Sequence, residues 1–250
     1  MDEVLCIFPF EIEMYQKEGI NVHYCGHPLI KQLPEKADRE QFFAKHGLDT
    51  TRPLVSIFPG SRTIELRFLA NTFIKSAKQL QKKHPEIQFC ISHAPNLSDD
   101  IFDKYINGTD FKVIKGENQA LLSISDSLIL ASGTVALEAA LYQIPMIIGY
   151  KGPWILYLAY LLVRCIKKVS LPNIITGEDI VPELIQAKFN TENICYETEK
   201  NLYNKEYRIG FIKALGMVKE KLSDKYSAEE VANEIIKALS LIHISEPTRR

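Results

Sequence analysis

The chain has 250 residues, enough for one large or two small domains with a real core. Its 30 basic and 31 acidic residues leave a net charge of −1, without the clustered basic surplus that a nucleic-acid footprint needs. An apolar share of 46% and a charged share of 24% are ordinary for a soluble globular protein. The five cysteines (Cys6, Cys25, Cys90, Cys165, Cys195) are scattered and never spaced as C-x-x-C. They read as buried reduced thiols of a cytoplasmic protein, not as a disulfide framework or a metal site. Met1 is followed by Asp2 and Glu3, so no basic n-region of a signal peptide is expected.

In chain order, short apolar runs alternate with helical patterns. Strands are expected at 4–8, 22–25, 54–58, 87–92, 111–114, 127–131 and 145–150, and helices near 39–46, 64–83, 120–125 and 134–142. This rhythm predicts an α/β fold, a Rossmann-like parallel sheet with helices on both faces. The first strand is followed by a Pro9-Phe10-Glu11 turn, so the chain is expected to enter a sheet in mid-fold. Beyond residue 150 the strand rhythm stops and helices are expected to the end. The last opens on the capping box Ser227-Ala228-Glu229-Glu230. Residues 154–163 form the longest apolar run, about ten residues and too short to span a bilayer. With Arg164, Lys167 and Lys168 behind it, this run reads either as a core helix or as an interfacial one.

Two strand-to-helix turns carry the chemistry. At Pro59-Gly60-Ser61-Arg62, with Glu65 in the helix, a buried strand gives way to a tight turn. Such a turn aims backbone N–H groups and a helix dipole at its ligand. Ser61 adds a hydroxyl and Arg62 a fork suited to phosphate, although plain capping with a solvated Arg62 is an equal reading. There is no Walker A lysine. The second turn, Ser132-Gly133-Thr134 with Glu138 one turn later, repeats the arrangement. Glu138 there can accept from ribose hydroxyls or simply complement the dipole. Diphosphate and ribose need adjacent docking points, so the pair together predicts a nucleotide-diphosphate site. A third constellation, Leu171-Pro172-Asn173 with Pro182-Glu183 and Gln186, offers Asn173, Glu183 and Gln186 to a base or sugar. It reads Asn173 in a loop and Glu183 one helical turn from Gln186, and on these residues alone ordinary loop and N-cap chemistry is the stronger reading. His27 in the turn Gly26-His27-Pro28 reads as structural. Residues 240–250 break the helix pattern and resemble the in-frame translation of a sequencing adapter. They are expected to be disordered and without function, His243 included.

The ordered set Phe8-Pro9-Phe10-Glu11, Gly26-His27-Pro28-Leu29, Pro59-Gly60-Ser61-Arg62 with Glu65, Ser132-Gly133-Thr134 with Glu138, Leu171-Pro172-Asn173, and Pro182-Glu183-Leu184 with Gln186 resembles the C-terminal portion of lipid-A-disaccharide synthase, from residue 1 to about 239. The resemblance implies the donor-binding half of a GT-B glycosyltransferase. That family joins UDP-2,3-diacylglucosamine to 2,3-diacylglucosamine 1-phosphate with inversion, at the cytoplasmic membrane face. It implies Gly60, Ser61, Arg62, Glu65, Ser132, Gly133, Thr134 and Glu138 at the donor nucleotide, and Asn173, Glu183 and Gln186 at the donor sugar or base. No cofactor is implied. No Asp-x-Asp signature occurs, so no metal is expected, and a homodimer is an open option for the assembly.

The family carries a Gly-Glu-x-Ser-Gly-Asp motif in an N-terminal acceptor domain, and this chain has no such motif. The general base is therefore expected outside the chain, which would not complete the reaction alone. The expected organisation is a remnant of the acceptor side and linker over 1–30, a UDP-sugar-binding domain over 31–205, C-terminal helices over 206–239 and the tail over 240–250. Another UDP-sugar enzyme of GT-B fold, such as a UDP-N-acetylglucosamine 2-epimerase or the peptidoglycan glycosyltransferase, and a non-catalytic nucleotide-binding module stay open as alternatives.

Overall fold

The computed structural model describes residues 3–153, 168–222 and 227–245, so the apolar run at 154–163 and Cys165 lie outside the described residues. The chain begins with β1 (Val4–Cys6), α1 (Pro9–Lys17), β2 (Val22–Tyr24) and α2 (Leu29–Gln32), and β1 pairs with β2 in parallel. The expected turn at Pro9-Phe10-Glu11 is instead the first turn of α1. Proline suits position N1, where no N–H is needed, and the Glu11 carboxylate accepts the Phe8 N–H at 3.0 Å.

Next come α3 (Arg39–His46), β3 (Leu54–Phe58), α4 (Thr63–Lys83), β4 (Gln88–His93), α5 (Asp99–Ile106), β5 (Lys112–Lys115) and α6 (Asn118–Ile124). Then follow β6 (Ser127–Ala131), α7 (Val135–Leu141), β7 (Met146–Tyr150), α8 (Leu171–Thr176), β8 (Glu183–Ile185), a 3₁₀ turn at Gln186–Lys188 and α9 (Thr191–Tyr203). The chain closes with α10 (Lys205–Leu222) and α11 (Ser227–Ser245). Helix α5 and strand β8 were not expected. α5 is one amphipathic turn pair with Phe102 buried, and β8 is only three residues long.

Strands β3 to β8 form one parallel sheet in the order β5-β4-β3-β6-β7-β8. Chain order therefore runs outward from β3 to one edge, returns, and runs outward from β6 to the other. That is the doubly wound Rossmann arrangement, with its reversal point between β3 and β6. β3 and β6 are buried along their whole length, as strands covered on both faces must be. α4 lays Leu66, Leu69, Ala70, Phe73, Ala77 and Leu80 on the sheet at three- and four-residue spacing, the stripe that makes it a helix. Away from the reversal edge, the Asp126 carboxylate accepts the Leu54 N–H and the Arg39 guanidinium, both at 2.8 Å, tying the starts of β3 and β6 together.

Two compact units divide the chain: Pro34–Met217, which holds the six-stranded sheet, and Met1–Leu33 with Val218–Arg250. The first and last segments of the chain fall together in the second of these units. Within it the Tyr24 hydroxyl bonds the Leu222 carbonyl, and His23 lies 3.6 Å from both Glu230 and Glu234. α11 runs on to Ser245, so the first residues of the segment expected to be disordered continue a helix. No glycine or proline interrupts the sequence before Pro247. Cys6, Cys25, Cys90 and Cys195 are buried free thiols, and burial pushes the Cys90 thiol up to about 12.

Gly149, in the middle of the sheet, leaves no room for a side chain. A Cβ there would overlap the Phe189 ring and come within 2.8 Å of Phe73, whose rings meet edge to face. Gly149→Ala should therefore destabilise the central unit by about 1–3 kcal/mol. Urea denaturation checks this, and an unchanged midpoint would show that the two rings are not locked.

Candidate functional site at the sheet reversal

β3 and β6 lie side by side, with Phe58 paired to Leu130, so the turns that follow them open on the same edge of the sheet. Between them is a cleft of about 480 Å³. All eight residues expected at the donor nucleotide line it: Gly60, Ser61, Arg62 and Glu65 from one turn, and Ser132, Gly133, Thr134 and Glu138 from the other.

The two turns differ in how their N–H groups are used. In the first, the Glu65 carboxylate folds back and accepts the Ser61 N–H at 2.8 Å and the Arg62 N–H at 3.3 Å. Gly60 has φ +109, and a Cβ on it would overlap that carboxylate, so glycine is required twice over. Asn96 braces the other side of the turn, donating to the Ser61 carbonyl at 2.6 Å. The Arg62 guanidinium makes only a 3.5 Å contact with Glu65 and is 78% exposed, leaving its fork available to a ligand. Two N–H groups of the first turn are thus taken from within, as the capping reading expects, while that of Gly60 meets no acceptor among the described residues.

In the second turn the N–H groups of Gly133, Thr134 and Val135 meet no acceptor among the described residues, whereas those of Ala136 and Leu137 bond back to Gly133 and Thr134. The open backbone donors lining the cleft are therefore those of 133–135, together with the Gly60 N–H of the first turn. Ser132 is held in place, its N–H on the Gly149 carbonyl at 3.3 Å and its hydroxyl on the Val169 carbonyl at 3.2 Å. Glu138 is half-buried. Burial raises its carboxyl above the ordinary carboxylate range, and a hydrogen bond with Gln119 pulls it back down.

The cleft also holds Ser92, Asn118 and Gln119. The Ser92 hydroxyl donates to Asn118 Oδ1 at 2.9 Å, which leaves the Asn118 amide N–H₂ as the donor toward the cleft. No turn motif marks these residues in the sequence. Their position, at and just beyond the ends of β4 and β5 in a parallel sheet, is the signal that would find them.

Asn173, Glu183 and Gln186 are placed elsewhere. Asn173 sits in α8, not in a loop, and is 1% exposed. Its amide bonds Val181 in both directions at 2.9 Å and donates to Glu183 at 2.8 Å. Glu183 lies in β8 and Gln186 in the following 3₁₀ turn, so they are not one helical turn apart. The Glu183 carboxylate accepts the N–H groups of Val169 (3.0 Å) and Ser170 (2.8 Å) and the Ser170 hydroxyl (2.7 Å), so it caps the start of α8. Gln186, with φ +51, donates to the Gly152 carbonyl at 3.1 Å. Asn173 and Glu183 face a separate, more open cleft of about 720 Å³. Through Val169 they support Ser132 at one remove.

Removing either partner leaves buried polar groups unpaired. Asn173→Ala and Glu183→Ala should each destabilise the protein by about 2 kcal/mol, with the double variant costing less than the sum. Chemical denaturation of the cycle checks this. A loss of nucleotide affinity at unchanged stability would instead mark the pair as ligand contacts.

Most of the chain resembles proteins of one named activity. Lipid-A-disaccharide synthase of Geobacter sulfurreducens is 34% identical over 242 residues, covering 96% of this chain and 63% of the relative. The chain therefore spans just under two thirds of that relative's length. Among solved structures, UDP-N-acetylglucosamine 2-epimerase of Neisseria meningitidis bound to UDP-GlcNAc superposes with a TM-score of 0.56 at 15% identity, covering 90% of this chain and 58% of that one. WaaG, a glycosyltransferase involved in lipopolysaccharide biosynthesis, superposes with a TM-score of 0.52 at 15% identity, covering 93% and 62%. These two likenesses establish the fold alone, α/β with the architecture of GT-B enzymes. The family model of lipid-A-disaccharide synthetase matches residues 1–236, and to that family the chain belongs.

Proposed function

We propose that this chain carries the donor-nucleotide half of a lipid-A-disaccharide synthase. In this reading the protein joins UDP-2,3-diacylglucosamine to 2,3-diacylglucosamine 1-phosphate, releasing UDP and the disaccharide 1-phosphate with inversion. The observation that carries it is the cleft at the sheet reversal, where an exposed arginine faces three open backbone N–H groups and a half-buried glutamate. As the bond to the leaving diphosphate breaks, negative charge grows on its oxygens. The N–H groups of the 133–135 turn are fixed donors for that charge, and Arg62, which lines the same cleft, supplies a cation to it. Glu138 takes the ribose hydroxyls as an acceptor. Ser132 is a positioning residue, held through Val169 by the Asn173–Glu183 network.

The base that deprotonates the acceptor hydroxyl is assigned to a part of the enzyme outside this chain, as are the acceptor contacts. Residues 1–30 are assigned to the acceptor side and linker, and 31–205 to the donor domain. The acyl chains of both substrates place the work at the inner face of the cytoplasmic membrane. Among the described residues no helix is long and apolar enough to cross a membrane, which suits peripheral attachment. A homodimer is the assembly to test by sedimentation. The epimerase reading draws only on a fold likeness at 15% identity, whereas relatives at 31–35% identity share the synthase activity in their names.

Calorimetry with UDP on this chain tests the donor site. Arg62→Ala and Glu138→Ala should each weaken binding about tenfold, the loss of one charge-assisted hydrogen bond in a partly screened cleft. Wild-type affinity in both variants would sink the assignment.

A further inference from the structure

The donor cleft is poorly equipped for a highly charged ligand. Among the described residues that line it, the ionisable side chains are one cation, Arg62, and two carboxylates, Glu65 and Glu138. Glu65 is also fixed in place. Its carboxylate accepts two backbone N–H groups of the Gly60–Arg62 turn and packs where a side chain on Gly60 would be, and the side chain is only 24% exposed. Swinging it away would break two charge-assisted hydrogen bonds, so a ligand meets it as a standing negative charge.

We propose that Glu65 is a specificity-determining residue that disfavours the free nucleoside diphosphate relative to its sugar ester, and so speeds release of the product. The inference rests on the donor-nucleotide reading above. A nucleoside diphosphate at neutral pH carries one more ionised oxygen than the same diphosphate esterified to a sugar, because its terminal phosphate has a second ionisation near pH 6. That extra charge appears on the leaving group when the glycosidic bond breaks. A fixed carboxylate across a partly solvated cleft repels it with a strength on the order of twofold to fivefold in affinity. Arg62 attracts donor and product alike. Glu65 sets the difference between them.

The experiment is calorimetric titration of the full chain and its Glu65→Gln and Glu65→Asp variants with uridine, UDP and UDP-N-acetylglucosamine. Glutamine keeps an oxygen acceptor for the turn but removes the charge, and aspartate keeps the charge. Glu65→Gln should tighten UDP about fivefold and UDP-N-acetylglucosamine about twofold, and leave uridine unchanged. The preference should relax at 0.5 M salt. Glu65→Asp should keep the wild-type ratio of UDP to UDP-N-acetylglucosamine. The ratio within each variant guards against a general loss of fold. Equal changes for all three ligands, weaker UDP binding in Glu65→Gln, or a ratio that moves alike in both variants overturns the inference while the donor-site reading stands. Absence of UDP binding to the wild-type chain overturns both.

Discussion

The hydrogen-bonded pairing of β3 with β6 is the constraint on which the candidate site depends. These strands are separated by α4, β4, α5, β5 and α6 in the chain, yet Val55 to Phe58 register against Ser127 to Leu130. Because both run the same way, their following turns emerge together. Because the strand order reverses there, no helix crosses the gap between them. Asp126 ties the starts of the two strands, so the register that aligns the turns is held from the opposite edge. Remove that adjacency, and Arg62 and Glu138 become unrelated surface residues.

Once adjacent, the two turns take different roles. A strand-glycine-helix turn is an anion-binding device only while its N–H groups are open. At Ser61 and Arg62 they are closed by Glu65, which leaves the arginine side chain as the turn's outward charge. At 133–135 they remain open, with Ser132 anchored beneath them. The cleft thus pairs open backbone donors on one wall with a single exposed cation on the other, and a buried network at Asn173 and Glu183 steadies the 132–135 turn from behind.

Much of this was legible in the sequence. Short, mostly apolar runs such as Leu54–Phe58 and Ser127–Ala131 read as buried parallel strands, and their alternation with helices points to an α/β parallel sheet. The two turns follow from glycine and small residues at strand ends. What was not legible depends on distance in space. The Glu65 carboxylate could be seen four residues beyond Ser61, but whether it meets a ligand or its own backbone is decided by the turn's geometry. Asn173 and Glu183 were offered to the donor through the family resemblance, although on their own they read as loop and capping residues. Their true partners, Val181 and Ser170, are backbone and hydroxyl groups that no motif announces. Asn118 and Gln119 were silent because their role depends on which strand β5 pairs with.

The most direct test of the central claim, that the donor nucleotide sits at the reversal of the sheet against the open turn, is an amide chemical-shift titration of the ¹⁵N-labelled chain with UDP. The largest shifts should fall on the N–H groups of Gly133, Thr134 and Val135, with smaller ones at Ser61 and Arg62 and none at the side-chain amides of Asn173 and Gln186. Shifts centred instead on Asn173, Val181 and Glu183, with 133–135 unmoved, would contradict it.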